Sequence, residues 1–139
     1  MIDPLTSPSR IAQSGLRAQS ARLKVISENI ANVNSTGATP GSDPYARKTI
    51  TFESAMSRAE GMALARVKSI GTDDRPFKVE NWPGHPAADE NGNVKVPNVE
   101  IILEAADMRD ATRSYEANLQ VLKQSREIVA MTLDLLKAG

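Results

Sequence analysis

The stretch SENIANVNSTG, residues 27–37, decides how this chain folds. It closes a run in which positions 12, 16, 19, 23, 26, 30 and 33 read Ala, Leu, Gln, Leu, Ile, Ile and Val. Steps of four and three in alternation are the seam of a coiled coil, and Gln19 is its one polar interruption. Upstream, Ser7-Pro8 supplies an N-cap and a proline at the first helical position, where its missing N–H costs nothing; Asp3-Pro4 offers the same one turn earlier. A helix from Ser9 to Val33 would run about 38 Å. Asn32 and Asn34 read as C-terminal residues that tolerate the left-handed conformation, with Gly37 completing the stop. Asn29 sits inside the helical run with no reason visible in the sequence.

Beyond that stop the chain changes character. Residues 34–98 hold six of the eight prolines and six of the eight glycines. Short alternating pieces, KTITF at 48–52, RVKSI at 66–70, PFKVE at 76–80 and NVKV at 93–96, predict strands separated by turns, and NGN at 91–93 is a hairpin-type turn signal. ESAMSRAEGMALA, residues 53–65, is open between a helical turn and a loop. The expected middle is a small β-rich or irregular module with a thin core.

Residues 99–139 return to helical spacing. Pro97-Asn98 precedes them, and the early turns carry Glu100, Glu104 and Asp107, as a helix dipole favours. Met108, Tyr115, Leu122, Val129 and Leu136 recur every seven residues beside a second column of Val121, Ile128 and Leu135. The interleaved Ala111, Asn118, Ser125 and Thr132 are small or polar. From Ala106 to Lys137 the helix would span about 48 Å. The fold class is thus mainly α: N- and C-terminal helices (1–33 and 99–139) packed as a coiled coil, with the module 34–98 between them. Leu119 and Leu133 widen the apolar surface beyond a two-helix seam, so part of it is expected to be buried only against neighbouring subunits.

Composition narrows the function. The 139 residues suit one domain. Net charge is zero and no strong basic run occurs, which argues against nucleic acid as a partner. The absence of cysteine excludes disulfides, thiolate metal sites and cysteine nucleophiles. No run of 18 apolar residues exists, so no membrane-embedded segment is expected. The start MIDPLTSPSR lacks the pattern of a cleaved secretory signal, and any export is expected to use another route.

Candidate chemistry is sparse. His85, the only histidine, lies in PGHP with no partner marked for catalysis, and reads as a loop residue. Asp89 to Glu100 imitates a calcium loop, but Val94 stands where the turn needs glycine and Pro97 follows, so a plain turn is favoured. Asn34-Ser35-Thr36 fits the glycosylation sequon, a pattern too short to carry weight. Glu100, Glu104 and Asp107 share one helix face and read as a solvated first turn rather than a metal site. No enzyme and no cofactor are expected.

The paired terminal motifs carry a resemblance. SENIANVNSTG, with Asn29, Asn32, Asn34 and Gly37, is similar to the N-terminal signature of the flagellar axial family of rod, hook and hook-associated proteins. VPNVEIILEAADMRDATRSYEANLQVLKQSREIVAMTLDLLK resembles that family's C-terminal helix, with Ser114, Tyr115, Ala117 and Asn118 in its central element. The short length, the insert GATPGSDPYARK and the run PGHPAADENGNVKVPNVE resemble the proximal-rod basal-body members. Ala38 departs from the pattern, since an aromatic residue commonly follows soon after Thr-Gly.

The resemblance implies a structural subunit of the bacterial flagellar basal body. It would be exported without signal cleavage by the flagellar type III apparatus and would polymerise into a hollow, torque-transmitting rod crossing the periplasm. Implied partners are itself, other flagellar rod proteins, the rod-to-membrane-ring adaptor and the export apparatus. Leu16, Leu23, Ile26, Ile30 and Val33 are expected to oppose Met108, Tyr115, Leu122, Val129 and Leu136 or a neighbour. The competing reading is a helical-hairpin binding or adaptor protein that never polymerises.

Overall fold

The computed structural model describes residues 6–57 and 61–138. The elements run α1 (Ser7–Ala31), β1 (Lys48–Ser57), β2 (Met62–Thr72), β3 (Lys78–Asn81), β4 (Asn93–Val96) and α2 (Ile101–Ala138). Two long terminal helices therefore enclose a strand-containing middle in the sequence. Asp3-Pro4 lies outside the described residues.

Helix α1 starts at Ser7-Pro8 and ends at Ala31, two residues short of the expected Val33, through a different device. Among the described residues, no residue other than glycine has a positive φ, and Gly37 has none either. The left-handed stop expected at Asn32, Asn34 and Gly37 is therefore replaced. The backbone N–H of Asn32 donates to the carbonyls of Glu28 and Asn29 at 3.1 and 3.2 Å. Its side-chain Nδ2 also donates to Glu28 O at 2.8 Å, and its Oδ1 accepts from Ser35 Oγ at 2.9 Å. Side-chain hydrogen bonds thus satisfy the last turn, so no residue needs the conformation that L-amino acids resist. Gly37 is required for closeness instead: a Cβ there would come within 2.7 Å of Ser42 O.

Among the described residues of the 53–65 stretch, 53–57 and 62–65 are strand rather than helical turn or loop. They complete β1 and open β2, which pair with each other in a two-stranded sheet. Their connection is far too short for a parallel crossover, and Gly61, at φ 64°, donates its N–H to Ser57 O at 2.7 Å in the turn. Strands β3 and β4 form a second antiparallel pair, from Lys78 opposite Val96 to Asn81 opposite Asn93. The NGN signal does mark a turn, at Gly92 with φ 76°. The chain reaches it through the loop 82–92 rather than through a two-residue hairpin. Asp89 Oδ1 organises the turn by accepting the backbone N–H groups of Asn91 and Asn93, both at 2.9 Å.

The described residues fall into two compact units. Unit 1 contains the residues up to Leu23, Thr51–Ser69 and those from Arg109 onward; unit 2 contains Lys24–Ile50 and Ile70–Met108. Unit 1 buries mostly small side chains, with Ala12, Ala18, Ala111, Leu122 and Ser125 in its interior. Unit 2 buries Val25, Ile26, Ala87, Val94, Val96 and Val99 together with three polar residues, Asn29, Asn98 and Glu104. Helix α2 begins earlier than Ala106, at Ile101, which brings Glu104 into its first turn.

Candidate assembly interface

In unit 1, α2 divides into faces. Ala111, Leu122 and Ser125 are buried, and Met108, at the edge of unit 2, shares their 4,3 spacing with the half-buried Tyr115, Asn118, Val129 and Thr132. The small and polar positions therefore lie on the inward face, alternating with the large ones. Contact with α1 is close where Gly15 passes Asn118: a Cβ on Gly15 would stand 2.6 Å from Asn118 Oδ1. Asn118 Nδ2 meanwhile donates to Ser114 O at 2.8 Å. A small residue at position 15 is what this approach demands.

A second face of α2 has no cover. Val121, Ile128, Met131 and Leu135 are 44, 53, 59 and 76% exposed, and Leu136 is 74% exposed. With Ala117, which is also exposed, the positions 117, 121, 128, 131 and 135 again fit a coiled-coil seam. No helix is long and apolar enough among the described residues to cross a membrane. Of the other expected interface positions, Ile26 is buried and Leu16, Leu23, Ile30 and Val33 are half-buried.

Unit 2 holds a polar cluster built around Asn29, which is 1% exposed. Its Oδ1 accepts the Lys48 backbone N–H at 2.8 Å and the Tyr45 hydroxyl at 2.9 Å. Its Nδ2 donates to Lys48 O at 2.9 Å and to Glu104 Oε2 at 3.1 Å. Burial pushes the Tyr45 phenol above its ordinary value, so Tyr45 stays a neutral donor. Asn29 thus clamps both backbone groups of Lys48 at the start of β1.

Glu104 corrects the solvated-turn expectation. It is fully buried, and its Oε1 accepts from Arg47 Nε. Arg47 also lies 3.6 Å from Asp73 Oδ2 and 3.7 Å from Asp107 Oδ2. A second buried amide, Asn98, accepts the Arg47 backbone N–H at 2.8 Å and donates to Asp73 O and Arg75 O at 3.2 and 2.9 Å. Side-chain and backbone hydrogen bonds from Arg75 hold the Asp73 carboxyl down to about 2, with Arg47 adding to the effect. The helix dipole argument failed at Glu104 because an ion pair, not solvent, satisfies its charge. The signal was available: 104 continues the column 111, 118, 125, 132, so a carboxylate stands at a core position and requires a buried cation. Arg47 and Asn98 carry no such mark in the sequence.

The remaining motif residues are dispersed. Asn32 closes α1, Asn34 is exposed, Ser114 contributes its carbonyl to Asn118, and Tyr115 and Gly37 are half-buried. His85 sits in the 82–92 loop, where Nδ1 accepts the Ala87 N–H at 3.1 Å and Nε2 lies 3.4 Å from Thr36 Oγ1.

Residues 10–39 match the family described as flagella basal body rod protein, and residues 90–135 match the flagellar basal body rod FlgEFG protein C-terminal family. These matches define a rod protein of the flagellar basal body. The chain is 57% identical over 138 residues to the flagellar basal-body rod protein FlgC of Agrobacterium fabrum, covering 99% of each chain. It is 38% identical over 125 residues to FlgC of Salmonella typhimurium, covering 90% of this chain and 92% of that one. With FlgC of Borreliella burgdorferi it shares 37% over 150 residues, covering 96% and 98%. The chain belongs to the flagellar basal-body rod protein FlgC family, whose members are structural subunits of the proximal rod and not enzymes.

Proposed function

We propose that this subunit polymerises through its terminal helices into the hollow drive shaft of the proximal rod and transmits torque through side-chain packing. The uncovered α2 seam of Val121, Ile128, Met131 and Leu135 carries the reading. Burying these side chains against neighbouring helices would contribute on the order of 1 kcal/mol each. A heterologous contact that does not close on itself yields a helical assembly rather than a ring.

In this reading residues 1–33 and 99–139 form an inner coiled-coil domain and residues 34–98 an outer module. Leu16, Leu23, Ile26, Ile30 and Val33 meet Met108, Tyr115, Leu122, Val129 and Leu136 within or between subunits. The partners are other copies, the other rod proteins and the rod-to-membrane-ring adaptor. The route is the flagellar export apparatus without signal cleavage, and the place is the basal-body rod where it crosses the periplasm. The test is complementation of a deletion strain. The native chain restores basal bodies with rods, and Ile128→Asp/Leu135→Asp does not, although the purified variant keeps native helicity. Full motility with that variant would defeat the proposal.

A further inference from the structure

An uncovered seam needs a surface to receive it, and unit 1 carries one. A groove of about 550 Å³ lies between α1 and the β1–β2 hairpin. Resting on the polymerisation reading above, we infer that this groove seats the α2 seam of a second copy of the chain.

The groove suits an apolar guest. Ala18 of α1 lines it together with Ala55, Met56, Leu64, Ala65 and Val67 of the hairpin. The Ala65 backbone N–H donates to Ser14 Oγ at 3.1 Å, which ties β2 to α1. Met56, an adaptable apolar side chain, is 67% exposed although it lines the groove, and Ala65 is exposed beside it. The subunit's own α2 does not fill this space. Leu122 and Ser125 carry that helix's inward face, and no α2 residue lines the groove among the described residues. The guest therefore comes from another molecule. Ile128, Met131 and Leu135 stand at i, i+3 and i+7, the spacing by which an amphipathic helix anchors in an apolar groove.

Charge names the guest. Over 121–135 the seam places Val121, Ile128 and Leu135 at heptad position a, so Glu127 and Asp134 fall at g, a flank whose charges select the partner. The other flank, with Asn118, Ser125 and Thr132, is buried or half-buried. Glu127 and Asp134 are exposed, and neither has an ion-pair partner among the described residues. The groove supplies the opposite charge. Arg17 lines it, is exposed and likewise has no ion-pair partner among the described residues. Arg66 lines it too, but is engaged by Glu53 at 2.9 Å. An uncommitted cation in the groove thus matches two uncommitted carboxylates beside the seam. Groove and seam are different surfaces and every subunit has both, so the contact is heterologous and propagates.

The chain has no cysteine, so introduced thiols report this contact alone. In a deletion strain, Ala65→Cys is combined in turn with Val121→Cys, Ile128→Cys and Leu135→Cys, and isolated basal bodies are oxidised with copper phenanthroline. At least one pair should give a ladder of dimers, trimers and higher multimers, whereas each single-cysteine variant gives dimers at most. Arg17→Glu should weaken that ladder about fivefold, the scale of one exposed ion pair, and adding Glu127→Arg or Asp134→Arg should restore it. If the paired cysteines block rod formation, motility of the Arg17→Glu strain and its rescue by either added substitution decide alone. Rods that form without a ladder from any pair overturn the inference and leave polymerisation through the terminal helices standing; failure of the native chain to form rods defeats both. Products whose masses are not multiples of this chain's own identify another guest and overturn the inference, as does a charge reversal that neither added substitution rescues.

Discussion

Asn29 uses both acceptor positions and both donors of its amide inside the protein. That accounts for an asparagine beside the apolar stripe in the last turn of α1, where its intrinsic helix propensity is poor. Asn29→Ala leaves the Lys48 N–H and C=O and one Glu104 oxygen without this partner, so we expect a loss of about 3 kcal/mol in urea unfolding. Asp73 gives a different signature. Its carboxyl is depressed in the folded chain, to about 2 from 3.8. Its contribution is therefore present above pH 3.8 and is lost as the pH falls towards 2. Asp73→Asn should remove that part of the acid dependence, so the urea midpoints of variant and native chain converge as the pH falls from 4 to 2. A gap that stays constant over this window would contradict the assignment.

Among the elements, the turn that follows α1 depends on a close approach rather than on a glycine-specific φ. Gly37→Ala would push a methyl into the Ser42 carbonyl, and backbone cannot retreat as a side chain can. We expect a loss of about 1–3 kcal/mol, against no measurable change for Gly84→Ala, whose added Cβ meets nothing within 4 Å. Equal thermal shifts in the two variants would refute this. The same comparison shows what was legible. The 4,3 spacing gave α1 and α2, and NVKV gave β4 with its bounds, because local patterning suffices there. Residues 53–65 were illegible because their residue types do not alternate apolar with polar, although half-buried and exposed positions do alternate over 53–57 and 62–65 once the strands pair.

For the molecule as a whole, burial separates two kinds of apolar position on α2. Leu122 is 8% exposed and Ile128 is 53% exposed. Leu122→Asp buries a charge in unit 1 and should lower its stability by about 3 kcal/mol or more, seen as early loss of helicity on heating. Ile128→Asp should leave that melting curve within about 0.5 kcal/mol and still exclude the subunit from rods in a pelleting or complementation assay. If Ile128→Asp melts as early as Leu122→Asp, the exposed seam belongs to the monomer fold and not to assembly. Leu23→Asp, at a half-buried site, should show both effects in part.

By itself the sequence determined the two terminal helices, the strand-rich middle and, through the motifs at residues 27–37 and 114–118, the family. Those features live in periodicity and local residue type, which a linear pattern records. Only the tertiary structure decided that Glu104 is buried, that Asn29 clamps β1, and that Arg47 and Asn98 complete the cluster. Asn29 and Glu104 lie 75 positions apart in the chain. A buried polar group is satisfied only by the donors and acceptors that folding brings to it, and no pattern along the chain identifies them.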